Sequence, residues 1–379
     1  MIAFCALLAM AFSAPSGGTS DALTVLGGTL TRVAATRPPN RGWQRMGNAW
    51  VRTPPATPWG AVHFVGGAGF GSAPQLVYDE LLSTIAERCG VVVIATPFDV
   101  SFDHWKLSAA TGEEFERALS ECQATLGLSG SAPIYRVGHS LGAKLLVLGA
   151  LRAERKALRL GAAAEALAND EAAPAPPPPA SNGRGKLSLG LICFNNFDLG
   201  DSAKLAASFV ANAQGGARGE ATARTVLEAF GLLQQVARAT GTAVDVSPTP
   251  AELEDEVGLW FGGGAAASPD LRIWRFDGDE LDSSAGLVEA LPEEAAVAAA
   301  VSVLDGGHLS PVYFRLDPSE LDPALGMLLG GMGGSGFAVG SAEALAPLCD
   351  ELCAWIWPSA MKAPTLLEAE GADEVEPPE

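Results

Sequence analysis

Residues 138–142 read Gly-His-Ser-Leu-Gly, a serine set between two glycines. The run PIYRV (residues 133–137) precedes it and a leucine-rich stretch follows, so Ser140 falls at a strand-to-helix turn. Such a turn is sharp, which explains the glycines. It lifts the hydroxyl above the sheet edge and aims the first N–H groups of the next helix at developing negative charge. A serine hydroxyl is a weak nucleophile at neutral pH, so it needs a base, and the base needs an orienting acid. The histidines are His63, His104, His139 and His308, and only His308 follows the serine. In the chain order nucleophile, acid, base that accompanies this kind of turn, His308 is therefore the base, carried by the loop Asp305-Gly306-Gly307-His308. The acid belongs at the end of a strand between the two. LRIWRF (residues 271–276) is such a strand, followed by Asp277, Asp279 and Asp282. Asp279 fits best, Asp282 second and Asp277 third; the acids left over are turn residues or helix caps.

An acyl-transfer site also needs donors for an oxyanion. The N–H of Leu141, next after the nucleophile, is one. The second is expected from Gly67 or Ala68, in the glycine-rich loop after the run WGAVHFVGG (residues 59–67). No Gly-Lys-Ser/Thr and no regular GxGxxG follows there, which argues against a phosphate cradle. The six cysteines form no paired framework. Cys349 and Cys353 stand one helical turn apart, as two small core residues would, and no His/Cys set has the spacing of a zinc site. No metal and no cofactor is expected.

The elements that would position these groups alternate. Residues 59–67 and the β-branched run VVVIA (residues 91–95) read as strands, as do residues 133–137, 187–194, 271–276 and 301–304. Apolar residues at helical spacing predict helices over residues 74–89, 112–127, 140–158 and 345–356, and residues 200–262 read as mostly helical. Connections too long for hairpins imply an α/β protein, a parallel sheet with crossover helices. Residues 161–186, ending in APAPPPPASNGRGK, read as a low-complexity insertion in a surface loop, and residues 363–379 as a disordered acidic tail.

Charge narrows the partners. With 24 Lys+Arg against 44 Asp+Glu the net charge is −20, which disfavours nucleic acid and anionic membranes. No run reaches the length of a transmembrane helix. The N-terminus, MIAFCALLAMA and then an acid-poor, Arg-bearing stretch, reads as an address occupying residues 1–45. It resembles bipartite plastid targeting, the alternative being an ordinary secretory signal. The hydrolase body is then expected over residues 46–362.

Several motifs together resemble one family. They are VHFVGG (62–67), APQL (73–76), ATPF (95–98) with SFDH (101–104), GHSLGAK (138–144), FNNF (194–197), SPTPAELE (247–254) and the turn at 279–282. The chain is similar over about residues 48–315 to the plant, algal and cyanobacterial α/β-hydrolase-like family known as domain of unknown function 1350. The resemblance implies an α/β-hydrolase fold, a mostly parallel central sheet flanked by helices, and for many members plastid residence; it implies no established substrate. In such folds a helical lid stands near residues 200–262. Leu259-Trp260-Phe261 and Phe230-Gly231-Leu232-Leu233 would give it an apolar underside suited to an acyl or lipid-like substrate, or would be ordinary packing. Asn195, Asn196 and His104 fall near the expected site, where they would bind polar groups of the substrate; the two asparagines would otherwise satisfy loop backbone. His63, within a strand, reads as a core histidine. Two functions follow: a serine hydrolase acting on a small-molecule or lipid-like ester through Ser140, His308 and Asp279, or a non-catalytic binding or assembly protein of the same fold.

Overall fold

A computed structural model describes residues 20–37, 42–168, 187–198, 216–240, 246–262, 270–317 and 337–357, together with residues 200, 203–204, 207, 211 and 320. The apolar run at 1–11, the proline-rich stretch 169–186 and the acidic tail lie outside the described residues.

The chain opens with helix α1 (Ser20–Thr36) and a hairpin of β1 (Trp43–Met46) and β2 (Ala49–Arg52). Then come β3 (Ala61–Val65), a single 3-10 turn (Phe70–Ser72), α2 (Pro74–Val77), α3 (Asp79–Cys89), β4 (Val92–Ala95), α4 (His104–Leu126), β5 (Ile134–His139) and α5 (Leu141–Ala168). They are followed by β6 (Ser188–Ile192), α6 (Gly216–Thr240), α7 (Pro250–Gly262), β7 (Asp270–Phe276), α8 (Ser284–Ala290), α9 (Glu293–Ala298) and β8 (Ala300–Leu304). A two-stranded pair, β9 (Phe314–Leu316) and β10 (Phe337–Val339), and the closing helix α10 (Ala342–Ile356) complete the order.

Eight strands form one sheet in the order β1-β2-β4-β3-β5-β6-β7-β8. β2 runs antiparallel to β1 and β4, and every other neighbouring pair is parallel. β3 and β4 are buried along their whole length, as the unbroken apolar run VVVIA requires when helices cover both faces. This is the α/β-hydrolase fold. Its parallel strands end level with one another: Val65 pairs with Gly138, His139 with Ile192, and Phe276 with Leu304. The loops that leave β3, β5, β6, β7 and β8 therefore meet at one edge of the sheet.

Several expectations need correction. α1 and the residues from 42 onward are not outside the body. α1 buries Leu26, Leu30 and Val33 in the same apolar cluster as Phe64, Phe70 and Val77, and the sheet begins at Trp43. The helix expected over 74–89 breaks at Tyr78, which leaves helical geometry at φ −113°, ψ 17°. The one expected from 112 starts at His104 because the Asp103 carboxylate caps it, accepting from the Lys106 N–H at 2.9 Å. The insertion expected from 161 starts later, since α5 continues to Ala168. Finally, α7 packs as part of the helical layer rather than as a lid. Leu253 and Val257 are buried with Leu145 and Leu287, and Arg155 of α5 pairs with Glu256. On α6 and α7 Leu232 and Leu259 are 64% and 73% exposed, while the side chains of Phe230, Leu233, Trp260 and Phe261 lie outside the description. No helix among the described residues is long and apolar enough to cross a membrane.

The place of α1 in the core predicts a stability effect. Leu30 is fully buried. Leu30→Ala should lower the unfolding free energy by about 2–5 kcal/mol. Urea unfolding curves that superimpose on wild type would mean that α1 does not belong to the body.

Candidate active site

Ser140 follows directly on β5 and takes a left-handed backbone, φ 56°. A non-glycine residue there costs about 1–3 kcal/mol and persists only where its surroundings hold it. The two flanking glycines make the close packing possible. A β-carbon at Gly138 would lie 2.6 Å from the Ala143 nitrogen, and one at Gly142 would lie 2.1 Å from the Val65 carbonyl oxygen. The Ser140 N–H donates to the Ile192 carbonyl at 2.9 Å, tying the turn to the end of β6. Leu141 then opens α5, so its N–H has no acceptor within the helix.

The serine hydroxyl lies 2.9 Å from His308 Nε2. His308 Nδ1 lies 3.0 and 2.9 Å from the two oxygens of Asp279. A carboxylate only accepts, so Nδ1 carries the proton, and Nε2 of the neutral ring is left to accept from the hydroxyl. Burial alone would raise the Asp279 carboxyl. The hydrogen bonds it accepts from His308 and the Leu281 N–H overcome it and hold the group below the usual aspartate range. Ser140 is 1% exposed and the side chains of His308 and Asp279 are buried, so the chain of bonds is screened from water.

The other two acids are engaged elsewhere. Asp282 pairs with Arg275 and accepts from the Ser284 hydroxyl at 2.5 Å. Asp277 accepts from the Gly306 N–H at 3.0 Å. Of the three acids left open by the sequence, Asp279 alone reaches His308.

The glycine-rich loop lies beside the elbow, with a β-carbon on Gly67 falling 3.3 Å from Ser140 Cβ. Gly67, however, is not a free oxyanion donor: its N–H donates to the Tyr78 hydroxyl at 2.9 Å. Of the two residues expected to supply a second N–H beside Leu141, that leaves Ala68. Asn195 and Asn196, at the end of β6, are buried and hold backbone. Asn195 Nδ2 donates to the Leu281 carbonyl at 3.0 Å, inside the loop that carries Asp279. Asn196 Nδ2 donates to the Pro250 carbonyl at 3.0 Å, at the start of α7. Each keeps a buried carbonyl oxygen without a partner, as His104 keeps Nδ1. His104 begins α4 and is pushed down to about 3 by burial and the nearby Lys144 charge. His63 is a core histidine, bonded to the Thr96 hydroxyl and stacked on Phe115.

His139, Cys193 and His308 bring metal-ligand atoms within 4.8 Å of one another. All four ring nitrogens already have hydrogen-bond partners, so a metal ion there would have to displace them. Nothing in the sequence singles out Tyr78. A tyrosine among helical apolar residues reads as core, and nothing local marks its hydroxyl as reaching the elbow.

Comparison with known proteins then gives one family match. Residues 42–176 match the family described as "Protein of unknown function (DUF1350)". The match takes in the hairpin, the Gly67 loop and Ser140, and stops before Asp279 and His308. No curated protein matches the chain. Among solved structures it is similar to a hormone-sensitive lipase from a metagenome library, at 13% identity and TM-score 0.42 over 92% of this chain and 94% of that one. It is also similar to an esterase of Pyrobaculum calidifontis, at 13% identity and TM-score 0.42 over 93% and 98%. A third is the Francisella virulence factor BioJ, at 12% identity and TM-score 0.45 over 88% and 90%.

The buried histidines predict an acid-sensitive fold. Burial holds His63 well below its ordinary value and takes His104 and His139 down to about 3. In the unfolded chain each protonates near 6.5. The unfolded state then binds more protons between about pH 3 and 6.5, so stability is lost as pH falls through that window, at up to about 1.4 kcal/mol per pH unit for each histidine. Asp279 acts in the same direction at lower pH. Urea midpoints should drop markedly from pH 7 to pH 5; a flat profile would contradict the neutral, buried state of these rings.

Proposed function

We propose that the protein is a serine hydrolase that cleaves an ester through an acyl-enzyme. The observation that carries this reading is the unbroken chain from Ser140 Oγ through the His308 imidazole to Asp279, with its 2.9 Å links. As Oγ attacks the ester carbonyl carbon, His308 Nε2 takes the hydroxyl proton and Asp279 stabilises the imidazolium. The carbonyl oxygen becomes an oxyanion held by the N–H groups of Leu141 and Ala68. When the tetrahedral adduct collapses, the ester C–O bond breaks and His308 gives its proton to the departing alkoxide, releasing the alcohol. Water then repeats the sequence on the acyl-serine: His308 takes its proton, hydroxide adds to the carbonyl, and Ser140 leaves as the protonated hydroxyl with the acid as product. No cofactor takes part in these steps.

The test is labelling with a fluorophosphonate probe followed by hydrolysis of p-nitrophenyl esters. Wild type should label, and Ser140→Ala should abolish labelling. His308→Ala and Asp279→Asn should each lower kcat/KM by at least about 10³ while far-UV circular dichroism stays native. Folded wild type that takes no label would favour the binding-protein alternative.

A further inference from the structure

Behind the serine, two buried side chains and three hydrogen bonds connect the Gly67 loop with the loop that carries His308, and every hydrogen in the connection can be assigned. The His308 backbone carbonyl only accepts, so His139 Nε2, 2.9 Å away, must carry a proton and donate it. Burial, then the neighbouring His308, keeps His139 neutral down to about pH 3, so the ring has one proton and Nδ1 is a bare acceptor. Its partner at 2.8 Å is the Tyr78 hydroxyl, which therefore donates to Nδ1. That uses the phenol's single proton and leaves its oxygen to accept the Gly67 N–H at 2.9 Å. The direction runs from Gly67 N–H to Tyr78 O, from Tyr78 O–H to His139 Nδ1, and from His139 Nε2–H to the His308 carbonyl. Tyr78 and His139 are both buried.

We propose that Tyr78 and His139 are positioning residues that lock the oxyanion loop and the base loop into one register across Ser140. The inference rests on the hydrolase reading for its purpose but not for its geometry. Two further contacts support it. The Tyr78 ring lies against the loop so closely that a β-carbon on Gly66 would come within 2.7 Å of it. Cys193, itself left-handed at φ 49°, directs Sγ to the same His308 carbonyl at 3.8 Å. With its proton committed to Nδ1, Tyr78 is not a proton donor to an oxyanion. Its work is to occupy the Gly67 N–H, orienting the peptide so that the following N–H, that of Ala68, serves the site.

The break of the helix at Tyr78 has a role in the same picture. Had residues 74–89 formed one helix, residue 78 would have kept helical geometry. The turn there lets the ring sit over the β3 loop, edge-on to Phe64 at 4.8 Å and to His139 at 5.7 Å.

The experiment compares wild type with Tyr78→Phe, which keeps the ring and removes only the hydroxyl. In wild type, ¹⁵N shifts should show His139 as the Nε2–H tautomer and the Gly67 amide should exchange slowly. In Tyr78→Phe the Gly67 amide should exchange about tenfold faster or more while protection in β5 and β6 is unchanged. The acylation rate with a p-nitrophenyl ester should fall about tenfold with KM little altered. The Nδ1–H tautomer in wild type, or Gly67 exchange and acylation that do not respond to Tyr78→Phe, would overturn the proposal. If wild type fails to acylate at all, the hydrolase reading falls instead, and the tautomer and Gly67 exchange still decide whether the linkage exists.

Discussion

The left-handed turn at Ser140 constrains more of this molecule than any other single feature. At φ 56° the residue is strained, and the close packing of α5 on the end of β3 and the bond from its N–H to the Ile192 carbonyl help to hold it there. That approach is possible where Gly142 faces the Val65 carbonyl with no side chain between. It fixes the level at which β3, β5 and β6 end, since Val65 pairs with Gly138 and His139 with Ile192. The next strand repeats the pattern: Cys193 leaves β6 left-handed and donates its N–H to the Trp274 carbonyl of β7. Two left-handed residues on neighbouring strands thus tie the ends of β5, β6 and β7 together. The leucines of α5 and β6, Leu145, Leu148, Leu189 and Leu191, form the packed layer that keeps this edge from relaxing.

Electrostatics at the edge follow from burial. A low-polarity surrounding disfavours charge, and three histidines respond by staying neutral. Asp279 is the exception: it keeps its charge because His308 and the Leu281 N–H stabilise the carboxylate more than burial penalises it. The result is one buried negative charge opposite one imidazole, with Ser140 beyond it. Asp282 and Asp277, three and two residues away from Asp279, are taken by Arg275, Ser284 and Gly306 and add no competing acceptor at the ring.

Much of this was legible in the sequence because the chemistry is sparse. Only one histidine follows Ser140, so chain order alone singled out His308. The acid is confined to three residues of one turn, with Asp279 first on its spacing, while the partners that occupy Asp277 and Asp282 are nothing that periodicity reveals. The sheet from β3 onward was legible from β-branched runs alternating with helical spacing. The hairpin of β1 and β2 was not, although Gly47-Asn48 is a turn signal: the acid-poor stretch to residue 45 reads as an address and takes most of β1 with it, and β2 alone is too short a run to stand out. Gly67 shows a different limit. Its flexibility and position qualified it as an oxyanion donor, but whether an N–H is free depends on what already accepts it. The acceptor is the hydroxyl of Tyr78, which only the tertiary fold brings there.

Strain bears on the choice between an enzyme and a binding protein of the same fold. A surface that only recognises a partner has no need to hold a serine off its preferred backbone, nor to keep a carboxylate charged inside a buried site. Both are unfavourable in isolation, and both persist here within one chain of hydrogen bonds. Strain of this kind is an observation from which function is inferred, not the reverse. The supports around it point the same way. Asn195 steadies the acid loop through Leu281, and His139 with Cys193 holds the carbonyl of His308. Each contact limits the movement of a group whose placement matters to a fraction of an ångström for proton transfer but matters little for passive binding.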